Sequence, residues 1–184
     1  MESLRGHLLV ASPHMPDPNF SKSVILLVEH SNEGAVGLVL NRVAGTTLSE
    51  LWIQADQDGP CHCDDQVRLG GPVQGPVMCL HGHMELSESE VVSGVYVSNE
   101  AENLRQLVQK NKQPFRVFLG YSGWGPGQLE SELKIGGWLV SMADEEIVFT
   151  DDADEIWQRV IHRAGRQFLR DTLRIEDFPD PSCN

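Results

Sequence analysis

The sequence predicts an α+β domain: a mixed β-sheet packed by helices. Three observations carry that expectation. Short apolar runs bounded by turn residues recur along the chain, among them Leu8-Leu9-Val10-Ala11, Val24-Ile25-Leu26-Leu27-Val28 and Ala35-Val36-Gly37-Leu38-Val39-Leu40. Amphipathic stretches of helical period lie between and after them, over 99–110 and 151–164. Hairpin-length connections alternate with a helical crossover, which argues against a purely parallel, doubly wound sheet.

In chain order, residues 8–11 read as a buried strand ended by Ser12-Pro13. Two prolines and an Asp in His14-Met15-Pro16-Asp17-Pro18-Asn19 fix a loop. Residues 23–28 and 35–40 read as central strands joined by the turn Ser31-Asn32-Glu33-Gly34, an antiparallel hairpin. Thr47-Leu48-Ser49-Glu50 is a capping box that opens a short helix with Leu48, Leu51 and Trp52 on one face. A strand stub at 67–69 leads to the Gly70-Gly71-Pro72 turn. Alternation over 76–83 places Val77, Cys79, His81 and His83 on one face of a strand. Residues 95–97 form a short strand, and Ser98 caps a helix over 99–110. The strand at 115–119 enters the glycine-rich stretch Gly120-Tyr121-Ser122-Gly123-Trp124-Gly125-Pro126-Gly127, and a short helix leaves it at Gln128. Residues 138–140 and 147–149 read as strands turned at Asp144-Glu145-Glu146, and 151–164 as a helix ended by Gly165. Residues 166–173 add helical character before a frayed end.

Composition narrows the function. The chain has 184 residues, 40% of them hydrophobic, enough to build one core without disulfide or metal support. Fourteen Lys plus Arg against 27 Asp plus Glu give a net charge of −13, which disfavours direct nucleic-acid binding. The start is too poor in apolar residues for a signal peptide, and no run is long enough to span a membrane. A cytoplasmic protein is expected, with its four unevenly spaced cysteines reduced. No Gly-x-Gly-x-x-Gly and no P-loop occurs, and no cofactor is expected.

Three constellations could carry chemistry. Cys61, Cys63, Cys79, His81 and His83 are zinc-type ligands, although their spacing matches no common zinc module. His30 at a strand end, His81 and Glu130 are candidate acid/base groups. Ser122 lacks the Gly-x-Ser-x-Gly elbow and reads as a turn residue. The start of the Gln128 helix could attract an anion, but Glu130 and Glu132 in its first turns oppose one. Tyr121 and Trp124 could stack on a ligand, with core packing the plainer reading.

Taken together these segments resemble the AlgH/YqgE family. The likeness rests on Leu8-Leu9-Val10-Ala11-Ser12-Pro13, Asp17-Pro18-Asn19-Phe20, Glu29-His30, Gly34 through Arg42, Gly70-Gly71-Pro72-Val73, Leu80-His81, Gly120-Tyr121-Ser122-Gly123-Trp124, Gly127-Gln128-Leu129-Glu130 and Trp138-Leu139. Lys22 and Val43 depart from the family pattern, as does the tail after Gly165. The resemblance implies one domain over 1–165 with a C-terminal extension over 166–184. Its fold would be α+β, a mixed, partly barrel-like sheet flanked by helices. The family is cytosolic and has no established activity; some members carry a transcriptional-regulator label.

The resulting expectation is a non-enzymatic regulatory or protein-binding domain. Its binding surface would include Asp17, Asn41, Tyr121, Trp124 and Gln128, its partner would be an unidentified protein, and any action on transcription would be indirect. A hydrolase using His30 or His81 with Glu130, and a zinc protein using the Cys/His set, are the alternatives.

Overall fold

The computed structural model describes residues 3–55, 59–61 and 63–173. Among the described residues eleven strands form two sheets, and neither closes into a barrel. The first sheet is antiparallel, in the order β10-β3-β2-β1-β11, from β1 (His7–Ala11), β2 (Val24–Ser31), β3 (Gly34–Val39), β10 (Ser122–Trp124) and β11 (Trp138–Met142). The second runs β4-β5-β9-β6-β8-β7, from β4 (Val43–Thr47), β5 (Gln66–Leu69), β6 (Met78–His81), β7 (Ser89–Val92), β8 (Val95–Ser98) and β9 (Phe115–Leu119). It is mixed because β5 and β9 are parallel. The helices are α1 (Leu48–Gln54), α2 (Ala101–Gln109), α3 (Gln128–Lys134), α4 (Glu145–Val148) and α5 (Ile156–Leu173). The α+β class and the mixed sheet are those that the sequence predicts.

Three apolar clusters hold these layers. Leu8, Val10, Leu26, Leu38, Leu80 and Phe118 from both sheets meet Ile147, Ile156 and Val160 of α4 and α5. Trp52, Leu107 and Val108 of α1 and α2 cover Phe115, Val117 and Cys79 of the second sheet. Leu9, Ile25, Leu27 and Val39 are covered by Leu129 of α3, Trp124 and Trp138. Even and odd positions of β1 thus lie in different clusters, which is why its run is apolar throughout.

The two sheets join where two glycine segments cross. Val39 N–H donates to Gly70 O (2.9 Å), and Val73 and Tyr121 exchange two backbone hydrogen bonds of 3.0 Å. A Cβ on Gly70 would lie 2.3 Å from Gly120 O. Two backbones this close leave no room for a side chain, so these glycines are set by the crossing.

Several local expectations change. Residues 147–149 do not extend the sheet, because α4 takes Glu145–Val148 with Asp144 as its N-cap, Oδ1 accepting from Ile147 N–H at 2.9 Å. An Asp-Glu-Glu helix start outweighs the β-branched pair that follows. The last helix begins at Ile156 rather than 151 and runs through Gly165 to Leu173. Among the described residues nothing crowds Gly165, and the helix passes through it. The strand expected over 76–83 shrinks to β6, and His83 turns off into the 3-10 turn Met84–Leu86. Ser98 is not the N-cap of α2. Glu100 is, while Ser98 Oγ accepts from Glu100 N–H at 3.3 Å. The capping box of α1 forms as predicted, Thr47 and Glu50 reciprocally. Strands β4, β7 and β10 were absent from the sequence reading; they are short, polar or glycine-bearing. Residues 174–184 lie outside the described residues.

Candidate functional site

The Glu29–His30 strand end, the glycine stretch and α3 meet along one seam. Register pairs Trp124 with Ala35 and Ser122 with Gly37, so β10 lies along β3 as the outer strand. A Cβ on Gly37 would sit 2.5 Å from Ile25 Cγ2 and 3.3 Å from Trp124 Cζ3. The glycine therefore admits the indole. Beside the seam opens a groove of about 450 Å³ lined by Arg5, Glu29, His30, Ser31, Glu33 and Trp124.

His30 is the group with the most chemical potential there, and both of its ring nitrogens are engaged. Leu4 N–H donates to Nδ1 at 2.8 Å, and Nε2 lies 2.8 Å from Glu130 Oε1. A backbone amide can only donate, so Nδ1 is the acceptor and Nε2 carries the proton given to Glu130. The His30 side chain is only 3% exposed. That hydrogen bond also holds the Glu130 carboxyl below its ordinary pKa. A carboxylate held ionised is a poor general acid, and an imidazole with no free lone pair is a poor base. The pair ties the N-terminal segment, β2 and α3 together.

The tryptophans are organised around one carboxylate. Glu132 Oε2 accepts from Trp124 Nε1 (3.0 Å) and from Trp138 Nε1 (2.8 Å). Its Oε1 accepts from Gln128 Nε2 (3.0 Å), and Gln128 Oε1 accepts from Gly125 N–H (3.1 Å). Phe20 packs on both indoles, at 6.3 Å from Trp124 and 5.5 Å from Trp138. Trp124 is 5% exposed and is a core residue. Glu132 was missed as the hub. The signal lay in the two tryptophans, whose buried N–H groups require an acceptor, with Glu132 between them in sequence.

The remaining expected surface residues have structural partners too. Asn41 Oδ1 accepts from Val24 N–H (2.9 Å) while its Nδ2 donates to Lys22 O (2.8 Å). Asp17 Oδ1 accepts from Asn19 N–H at 2.8 Å, turning the proline loop. Tyr121 lays its ring over Gly75 and Gly123, whose added Cβ atoms would lie 2.8 and 3.2 Å from it. Ser122 is buried with Oγ donating to Gly70 O at 3.2 Å, which removes it as a nucleophile. Gly125 N–H, an amide that could have met an anion, is already bonded to Gln128.

His81 does not join His30 and Glu130. It lies in the second sheet, fully buried, stacked on Tyr96 at 6.2 Å, so the acid/base trio does not converge. Its Nδ1 accepts from His83 N–H (3.2 Å), and its Nε2 is buried without a hydrogen-bond partner among the described residues. Burial, then neighbouring His83, lowers its pKa. The unfolded chain therefore takes up a proton near the ordinary value of 6.5 while the folded chain does so only at lower pH. Stability conferred by neutral His81 is fully present above about pH 6.5 and is lost as pH falls through and below it. His81→Phe keeps the stacked ring and removes the unpartnered N–H. Urea unfolding from about pH 7.5 to about pH 5.5 should show a shallower acid loss for the variant, by up to about 1.4 kcal/mol per pH unit. Parallel pH curves would contradict the assignment.

The Cys/His set is dispersed. Cys79 is buried in β6, Cys63 is buried under Gln113, and His83 bonds Gln113 O at 3.2 Å. Burial pushes the Cys63 thiol up to about 11 and the Cys79 thiol higher still. Among the described residues no group of three or more His, Cys, Asp and Glu side chains is placed to hold a metal ion. His62 lies outside the described residues. Two buried arginines also escaped the sequence reading. Arg68 donates to Leu40 O at 2.9 Å, and Arg116 pairs with Asp151. Among the described residues no helix is long and apolar enough to cross a membrane.

Comparison with known proteins agrees with the motifs. The chain is 38% identical over 173 residues to a UPF0301 protein from Myxococcus xanthus, covering 90% of this chain and 93% of that one. It is 34% identical over 169 residues to a UPF0301 protein from Chlorobaculum tepidum, covering 89% and 88%. The solution structure of the AlgH protein from Pseudomonas aeruginosa superposes with a TM-score of 0.72 at 34% identity, over 97% of this chain and 96% of that one. Protein DIP2367 from Corynebacterium diphtheriae, at 24% identity and a TM-score of 0.72, shares the fold. The AlgH-like family model matches residues 8–169, and the chain belongs to that family.

Proposed function

We propose that this protein is a cytoplasmic, non-catalytic binding module that acts through a protein partner, any effect on transcription included. One observation carries the reading: His30, the best-placed proton carrier of the seam, has Nδ1 bound to Leu4 N–H and Nε2 bound to Glu130. A site without a free base, acid or nucleophile is suited to recognition rather than turnover. The adjoining groove is open, with Ala35, Val36 and Trp124 at its base. Its charge is acidic on balance. Glu29, Glu33 and Arg5 are all exposed, and the Arg5 guanidinium is bonded to Val28 O (2.9 Å), Ser89 Oγ (2.9 Å) and Glu90 O (2.7 Å). With a net charge of −13 behind it, the groove favours a basic protein segment.

Random-peptide phage display on the wild type, counter-selected on Glu29→Lys/Glu33→Lys, tests this. The expected ligands are rich in Lys and Arg and lose at least about tenfold in affinity on the double variant, as for two charge contacts. Ligands without basic enrichment, or binding indifferent to the variant, would count against this groove. Turnover of generic ester, phosphate or peptide substrates that disappears with His30→Ala would count against the non-catalytic reading.

A further inference from the structure

We propose that α5 carries a second docking site, for an acidic, apolar segment of a partner protein. The chain has nearly two acids per base, yet four of its fourteen Lys and Arg residues, Arg159, Arg163, Arg166 and Arg170, lie on this one helix, with a single acid, Asp171. Arg159, His162, Arg163 and Arg166 recur at the three- and four-residue spacing that sets side chains along one helix face. They rim a cleft of about 300 Å³ with Ile156 and Val160 beneath. Basic rim and apolar base together favour a ligand that brings carboxylates and at least one apolar side chain.

The row already accepts carboxylates. Arg159 Nη2 donates to Glu146 Oε1 at 2.9 Å, and Arg163 Nη1 to Asp144 Oδ2 at 2.7 Å. Each guanidinium has five N–H donors, so one such bond leaves others for a second carboxylate. Arg166 and His162 are exposed, and neither side chain has an acidic partner among the described residues. A nucleic acid is the poorer occupant. The two upstream arginines are partly neutralised by Glu146 and Asp144, four acids, Asp151, Asp152, Asp154 and Glu155, precede the helix in sequence, and a long polyanion would meet the repulsion of a chain of net charge −13.

The test uses the full chain and a fluorescein-labelled Glu-Glu-Phe-Glu-Glu-Leu peptide, with its Lys-for-Glu and Ser-for-Phe counterparts. Wild type should bind the acidic peptide saturably, more weakly as salt rises. The Arg166→Glu/His162→Glu variant should bind at least about tenfold more weakly, the loss expected for charge-assisted hydrogen bonds. Its thermal unfolding should match wild type, since both side chains are exposed. The Lys peptide should not bind this face, and the Ser peptide should bind more weakly. Amide shifts in the labelled wild type should fall on 156–166, a readout independent of the variant. No saturable binding, shifts elsewhere, equal affinity for the Ser peptide, preferred binding of duplex DNA, or affinity unchanged in a correctly folded variant would overturn the proposal.

Discussion

Trp124→Ala should lower the free energy of unfolding by about 3–5 kcal/mol, the usual cost of deleting a buried indole. For a chain of this size that corresponds to a fall of about 10 °C in Tm. The indole is 5% exposed, fills the space left by Gly37, and packs on Phe20 and Trp138. Its loss also removes one of the two N–H groups that hold Glu132. Glu132→Leu should cost a comparable amount, because it leaves two buried indole donors without an acceptor at about 1–3 kcal/mol each. Urea denaturation of the two variants checks both figures. A Trp124→Ala change below about 1 kcal/mol would mean that the indole is a surface residue. One consequence is practical: loss of a partner on Trp124→Ala does not map an interface. Glu29 and Glu33, exposed on the groove, are the informative positions.

Gly70→Ala is expected to cost on the order of 4 kcal/mol or more, and the variant should accumulate poorly or unfold at low denaturant. The new methyl would lie 2.3 Å from Gly120 O and 2.9 Å from Leu38 Cδ2. Neither strand can retreat cheaply, since Gly70 O accepts from Val39 N–H and from Ser122 Oγ. Gly165→Ala is the matched control, with nothing within 4 Å of its added Cβ and a position inside α5. It should stabilise by about 0.5–1 kcal/mol, as expected for replacing a helix-interior glycine. Equal effects of the two substitutions would refute the distinction between a packing glycine and a tolerated one.

These glycines explain how much of the molecule was legible in its sequence. Period-two and continuous apolar runs located β1, β2, β3, β5, β8 and β9, because those strands are buried and the pattern records burial. The capping box located α1, because its hydrogen bonds are local. Strands β4 and β10 escaped, since Val-Ala-Gly-Thr-Thr and Ser-Gly-Trp are held by neighbours remote in sequence. The helix at Glu145 was misread as a strand because Ile147-Val148 has β propensity and only the N-cap says otherwise. At the seam, Trp124 pairs with Ala35 of the β2–β3 hairpin, a neighbour remote in sequence. What the sequence could not supply was direction. Whether His30, Asn41 and Gln128 face solvent or their own backbone depends on contacts such as Leu4 to His30, 26 residues apart, and His30 to Glu130, 100 apart. A glycine-rich signature reads alike whether it cradles a ligand or lets two backbones cross.

The polar residues of this signature are occupied in holding the fold. Long-range proton–nitrogen correlation of the His30 imidazole, recorded where the ring is neutral, tests it most directly. A single Nε2–H tautomer is expected, with Nδ1 unprotonated and a slowly exchanging proton shared with Glu130. The Glu130→Gln variant should release that proton to faster exchange. An Nδ1–H tautomer, or rapid averaging between the two, would show that His30 is free to move a proton and would contradict the non-catalytic reading.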